Sequence, residues 1–142
     1  MLVILRRITK RTGKGEGGQS LVEFTLVLPI FLLVLFAIID FGMAFNAWIT
    51  VTNSAREGAR LGSVRAPAVD IETRVRDTAG SLGDDLTVIV TNAEGDPGES
   101  VVVDVSYDYS LITPLANIMG MVSGGSISET LNLSSTADMR LE

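Results

Sequence analysis

The chain has 142 residues, is 46% hydrophobic and carries a net charge of −6, which is apolar for one small soluble domain. It has no cysteine and no histidine, which excludes a disulfide framework, a thiolate metal site and imidazole acid–base chemistry. Charge is also divided: five bases precede Gly18, whereas residues 19–142 hold 6 arginines and 16 acids, a formal −10, so nucleic acid is not an expected partner.

Residues 1–18 read as a short basic leader. Arg6, Arg7, Lys10, Arg11 and Lys14 are opposed only by Glu16, and TGKGEGG is glycine-rich and polar. Such backbone is easily drawn into a protease. A basic arm before an apolar span is expected to stay on the cytoplasmic side.

Leu21 to Ile39 is an apolar run of 19 residues, about 28 Å of helix at about 1.5 Å per residue. That nearly matches the hydrocarbon core of a bilayer, about 30 Å. Pro29 lies inside it and removes the bond to the carbonyl of Thr25. Glu23 also lies inside it, and ionised groups in such segments are costly and usually functional. Helical spacing continues from Asp40 to about Val64, with Ala47, Val51, Ala55 and Ala59 at steps of four. Gly58 and Gly62 form a G-x-x-x-G on an adjoining line. Small residues so spaced let another backbone approach closely, either the protein's own sheet or a neighbouring copy.

After Pro67 an amphipathic helix is expected over 68–80. Ile71, Val75, Thr78 and Leu82 form one face, and Asp70, Arg74 and Asp77 another. The last third reads as strands. Leu86, Val88 and Val90 alternate with Thr87, Ile89 and Thr91, and NAEGDPGE (92–99) signals a turn. Val101, Val103, Val105, Tyr107 and Tyr109 then share one face of a half-buried antiparallel strand. A third run, Ile127 to Met139, sets Leu131, Leu133, Ala137 and Met139 opposite polar residues. Between these strands, LITPLANIMGMV (111–122) is too apolar for an ordinary loop. It reads as a short helix capped by Thr113 with Pro114 at its start, covering the sheet or offering a contact patch.

The expected fold class is α+β: a long N-terminal helix, one half transmembrane and one half outside, packed on a small antiparallel sheet of three or four strands. The expected divisions are a leader (1–18), a transmembrane helix (19–45) and an extracytoplasmic α+β domain (46–142). The only lysines are Lys10 and Lys14, so the body lacks the usual activated nucleophiles and neutral-pH bases. The acids at 84–85 and at Glu94, Asp96 and Glu99 fit no calcium loop. No enzyme activity, cofactor or metal is expected.

Gly18-Gln19-Ser20-Leu21-Val22-Glu23-Phe24 fits the form G-x-x-x-x-E-[FY]. With the basic leader and the apolar helix it resembles the processing site of class III prepilins and pseudopilins. Thr52-Asn53-Ser54-Ala55-Arg56-Glu57-Gly58-Ala59-Arg60 resembles the T-N-x-A-R-E-G-A-R stretch of TadE-like proteins, minor pseudopilins of the Tad (tight adherence, Flp pilus) system. The resemblance covers residues 14–65. It implies a pilin-like fold and cleavage between Gly18 and Gln19 by a prepilin peptidase. It also implies that Glu23, at the fifth mature position before Phe24, pairs with the amino terminus of a neighbouring subunit. Arg56, Glu57, Gly58, Arg60 and Gly62 become candidates for a helix interface. The implied partners are the prepilin peptidase, other minor pseudopilins, the major Flp pilin, the membrane and the inner-membrane platform of the Tad apparatus. The implied location is the bacterial inner membrane, single-pass, with the C-terminal domain outside. The alternative is an uncleaved, signal-anchored envelope binding domain.

Overall fold

The computed structural model describes residues 16–124 and 130–142. The leader up to residue 15, and the start of the third apolar run at Ile127, lie outside the described residues. Helix α1 runs from Glu16 to Gly62, 47 residues with Pro29 inside. At about 1.5 Å per residue it is about 70 Å long. It is continuous through the boundary expected at 45–46. The chain divides into two compact units at Leu35 and Phe36.

In the first unit α1 is bare. From Gly18 to Leu35 no residue is buried, although the run is strongly apolar. A helix that is hydrophobic all round is stable only when something apolar surrounds it. Its length and composition suit a membrane span. Ahead of Pro29, the Thr25 hydroxyl donates to the carbonyl of Leu21 at 2.7 Å.

The second unit, Phe36–Glu142, holds the core. Helix α2 spans Ala68–Ala79 and runs into a 3-10 helix over Gly80–Asp85. Strands β1 (Thr87–Thr91), β2 (Ser100–Ser110) and β3 (Thr130–Arg140) form an antiparallel sheet in the order β1-β2-β3. Helix α3 spans Leu115–Ser123 between β2 and β3. Three strands form among the described residues, the lower of the two numbers expected.

The stripe of small residues on α1 meets the valine face of β2. Val51, Ala55 and Ala59 join Ile71, Val75, Val101, Val103 and Val105 in one buried cluster. Ala44, Ala47 and Tyr109 form a second. Alternation along β2 therefore decides which side faces the helix. On α2 the buried residues are Ile71, Val75 and Ala79. Thr78, expected on that face, is exposed and donates to the carbonyl of Arg74 at 2.7 Å. Steps of four drift by about 40° each, so the buried stripe slants from Ile71 to Ala79 and leaves Thr78 about 60° from its centre, on the outer side.

The C-terminal residues are tied in. Leu141 is buried, and its amide donates to Glu99 while its carbonyl accepts from Gly98. The amide of Glu142 donates to the carbonyl of Ser63 at the end of α1.

Candidate functional site

Three places on α1 carry polar chemistry. The first is the 18–24 stretch. Gly18 has open space around it, so no packing among the described residues demands glycine there. Gln19 and Glu23 lie one turn apart on one helix face. The Gln19 side-chain amide donates to Glu23 Oε1 at 3.0 Å. The backbone nitrogen of residue 19 thus begins the turn that Glu23 ends. Phe24 is exposed.

The second is the TNSAREGAR stretch. Glu57 accepts from Arg60 at 2.7 and 2.9 Å, the three-residue pair expected on a helix. It also accepts from Arg74 of α2, at 2.6 and 3.0 Å. Glu57 therefore clamps α2 to α1, a link invisible in local spacing. Hydrogen bonds from Arg60 and then Arg74 hold its carboxyl down at about 2, against an ordinary 4.5. A depressed carboxyl stabilises the fold above its unfolded value and loses that effect as pH falls through the folded one. Glu57→Gln is therefore expected to lower the melting temperature at neutral pH. The gap from the unaltered protein should close between pH 4.5 and about 2. Both arginines are at least half exposed, so the gap should be small and shrink with salt. A gap independent of pH would rule the clamp out.

Gly58 and Gly62 face inward. A methyl group at Gly58 would sit 2.5 Å from Val75 Cγ2. One at Gly62 would sit 2.9 Å from both γ-methyls of Val101. The G-x-x-x-G stretch is thus filled by the protein's own α2 and β2. Arg56 and Arg60 are exposed.

The third place escaped the sequence reading. Asp40 directly follows the apolar run and is 1% exposed. Its Oδ1 accepts the amides of Ile112 at 2.9 Å and Thr113 at 3.2 Å. Its Oδ2 accepts a short hydrogen bond from the Thr113 hydroxyl. The same hydroxyl accepts from the Leu115 amide at 3.3 Å. Thr113 thus stands one residue before the cap of α3, which is Pro114 rather than Thr113. A carboxylate just past an apolar run reads as an ordinary water-facing end. Nothing local reveals partners 72 and 73 residues away.

Beside this clamp, Tyr109 packs against Ala44 and Ala47. Its hydroxyl is buried with no hydrogen-bond partner among the described residues. Burial, with the Asp40 charge second, pushes its pKa up. Phe41, Phe45 and Trp48 line an apolar groove of about 300 Å³ with Leu131 and Leu133. The rings of Phe45 and Trp48 lie 5.6 Å apart.

Among the described residues no cluster of three or more acids could hold a metal ion. Glu99 is engaged as a turn staple, accepting from the Asn92 side chain and the Asp96 amide. Asp104 and Asp108 accept from Thr136 and Asn132 of β3.

Residues 18–60 match the family model described as TadE-like protein. No curated protein and no solved structure matches the chain.

Proposed function

We propose that this chain, which carries a TadE-like domain over residues 18–60, is a minor pseudopilin that supports assembly of Flp pili. The TadE-like domain associates it with the Tad pilus machinery. Its role is structural rather than catalytic. The prepilin peptidase cuts after Gly18, removing a leader of formal charge +4 and freeing the amine of Gln19. The protein stays in the bacterial inner membrane by one span, N-terminus inside and the α+β domain outside. There it meets other pseudopilins, the major pilin and the inner-membrane platform.

The observation that carries this reading is the placement of Gln19 and Glu23. They share one exposed helix face, one turn apart, at the start of an uncovered apolar helix. A carboxylate there has no cation of its own among the described residues. An amine from a neighbouring subunit would offset the desolvation of both groups. Glycine at 18 serves cleavage; no contact among the described residues requires it.

The test is the N-terminus of the membrane-extracted protein, read by intact mass and terminal sequencing, with and without the prepilin peptidase. The expected result is a peptidase-dependent start at Gln19, lost in Gly18→Val. A start at Met1 in both strains would leave an uncleaved, signal-anchored domain and end the pseudopilin reading.

A further inference from the structure

We infer that α3 and the residues leading into it form a lipid-contacting shoe, seated in the outer interface of the membrane beside the point where α1 leaves it. The inference rests on the reading of α1 as a membrane span.

The first observation is position. Ile38 and Ile39, the last residues of the apolar run, belong to the same unit as α3. Asp40 comes next, about 1.5 Å further along the helix axis. Its carboxylate holds the backbone of Ile112 and Thr113. The polar layer of a bilayer is about 5–7 Å deep on each side. A segment pinned at Asp40 therefore lies within that layer. The register of the sheet agrees. Val101 of β2 meets Gly62, far along α1. Tyr109, at the other end of the strand, meets Ala44 and Ala47. The strand thus runs back along α1 from Gly62 towards Ala44, and the chain that follows it returns to Asp40.

The second observation is charge. The body of the protein is strongly acidic, yet residues 109–128 contain no Asp, Glu, Lys or Arg. Residues 41–55 of α1 contain none either. Asp40, which precedes the second stretch, is buried and fully hydrogen-bonded. The two segments that meet at Asp40 are thus free of exposed charge over residues 41–55 and 109–124.

The third observation is the character of α3. Leu115 and Ala116 are buried, while Ile112 and Met121 are 64% and 87% exposed. A helix apolar towards both core and solvent, with no charged face, is poorly suited to water. It suits the headgroup–acyl boundary, where apolar side chains bury about 5–10 Å deep. Phe41, two residues past the end of the apolar run, is exposed and adds an apolar ring at nearly the same depth.

The absence of cysteine makes the test direct. Single-cysteine forms of the full chain, Ile112→Cys and Met121→Cys, carry an environment-sensitive fluorophore. They are reconstituted into phosphatidylcholine–phosphatidylglycerol vesicles containing nitroxide lipids. Ile30→Cys reports on the span itself, and Val69→Cys, exposed on α2, on the water-facing body. Labels at 112 and 121 should be quenched by lipid at least about twofold more than the label at 69, with 121 quenched best by shallow nitroxides. Quenching at 30 with none at 112 and 121 would overturn the shoe and leave the anchor standing. No quenching at 30 would overturn the anchor and the shoe together. A label at 121 that is blue-shifted yet unquenched would mean that protein covers α3, and would also overturn it.

Discussion

Asp40→Ala should cost the α+β domain roughly 2–4 kcal/mol and free residues 111–124 to proteolysis before the rest unfolds. The substitution leaves the amides of Ile112 and Thr113 and the Thr113 hydroxyl without their acceptor. An unsatisfied donor costs about 1–3 kcal/mol, with more at stake when the lost partner is a charged acceptor. Water reaching the half-buried Thr113 limits the sum. Asp40→Asn keeps one oxygen for the two amides and should lose about half as much. The single tryptophan, Trp48, lies two turns along the same helix, so its fluorescence in detergent reports the unfolding. Equal melting for Asp40→Ala and the unaltered protein would show that the clamp contributes nothing.

Gly58→Ala should destabilise the domain by about 1–3 kcal/mol, although alanine is the better helix former by about 1 kcal/mol. The new methyl would sit 2.5 Å from Val75 Cγ2 and 3.3 Å from Val103 Cγ1. Val75 is β-branched and on a helix, so it has little rotamer freedom to yield. Gly42→Ala is the internal contrast. It lies on the same helix with nothing within 4 Å of the new methyl, and should be neutral or stabilising by up to about 1 kcal/mol. Val75→Ala should recover part of the loss in Gly58→Ala, as a double-mutant cycle would show. Two glycine substitutions of the same sign and size would mean that propensity, not contact with α2, decides the effect.

Periodicity made the elements legible in the sequence. The steps of four at Ala47, Val51, Ala55 and Ala59 became the buried stripe, and the alternation from Val101 to Tyr109 became the face against it. The apolar 111–122 stretch was legible as a short helix from its composition and from Pro114 at its start. Pairing across elements was not legible. Arg74 reads as the polar face of α2 until α2 lies beside Glu57. Asp40 reads as a helix residue meeting water until the chain returns to it. The glycines were legible as a close-approach surface, but their spacing is the same whether the partner is α2 or another chain. The 18–24 stretch differs in kind. On the proposed reading its meaning lies in a leader and a neighbouring subunit, beyond the contacts within one chain.

The bonds from Glu142 to Ser63 and from Asp40 to Thr113 have a bearing on how the domain is made. Both close long loops, the second spanning 73 residues. Such closures are slow relative to local helix formation. α1 needs none of them, because its backbone hydrogen bonds are all local. A helix formed ahead of the sheet would leave its alanine and glycine stripe uncovered until β2 supplies its valines. Over such an interval the groove would fit the β2 of a second copy as well as its own, because both would offer the same valines.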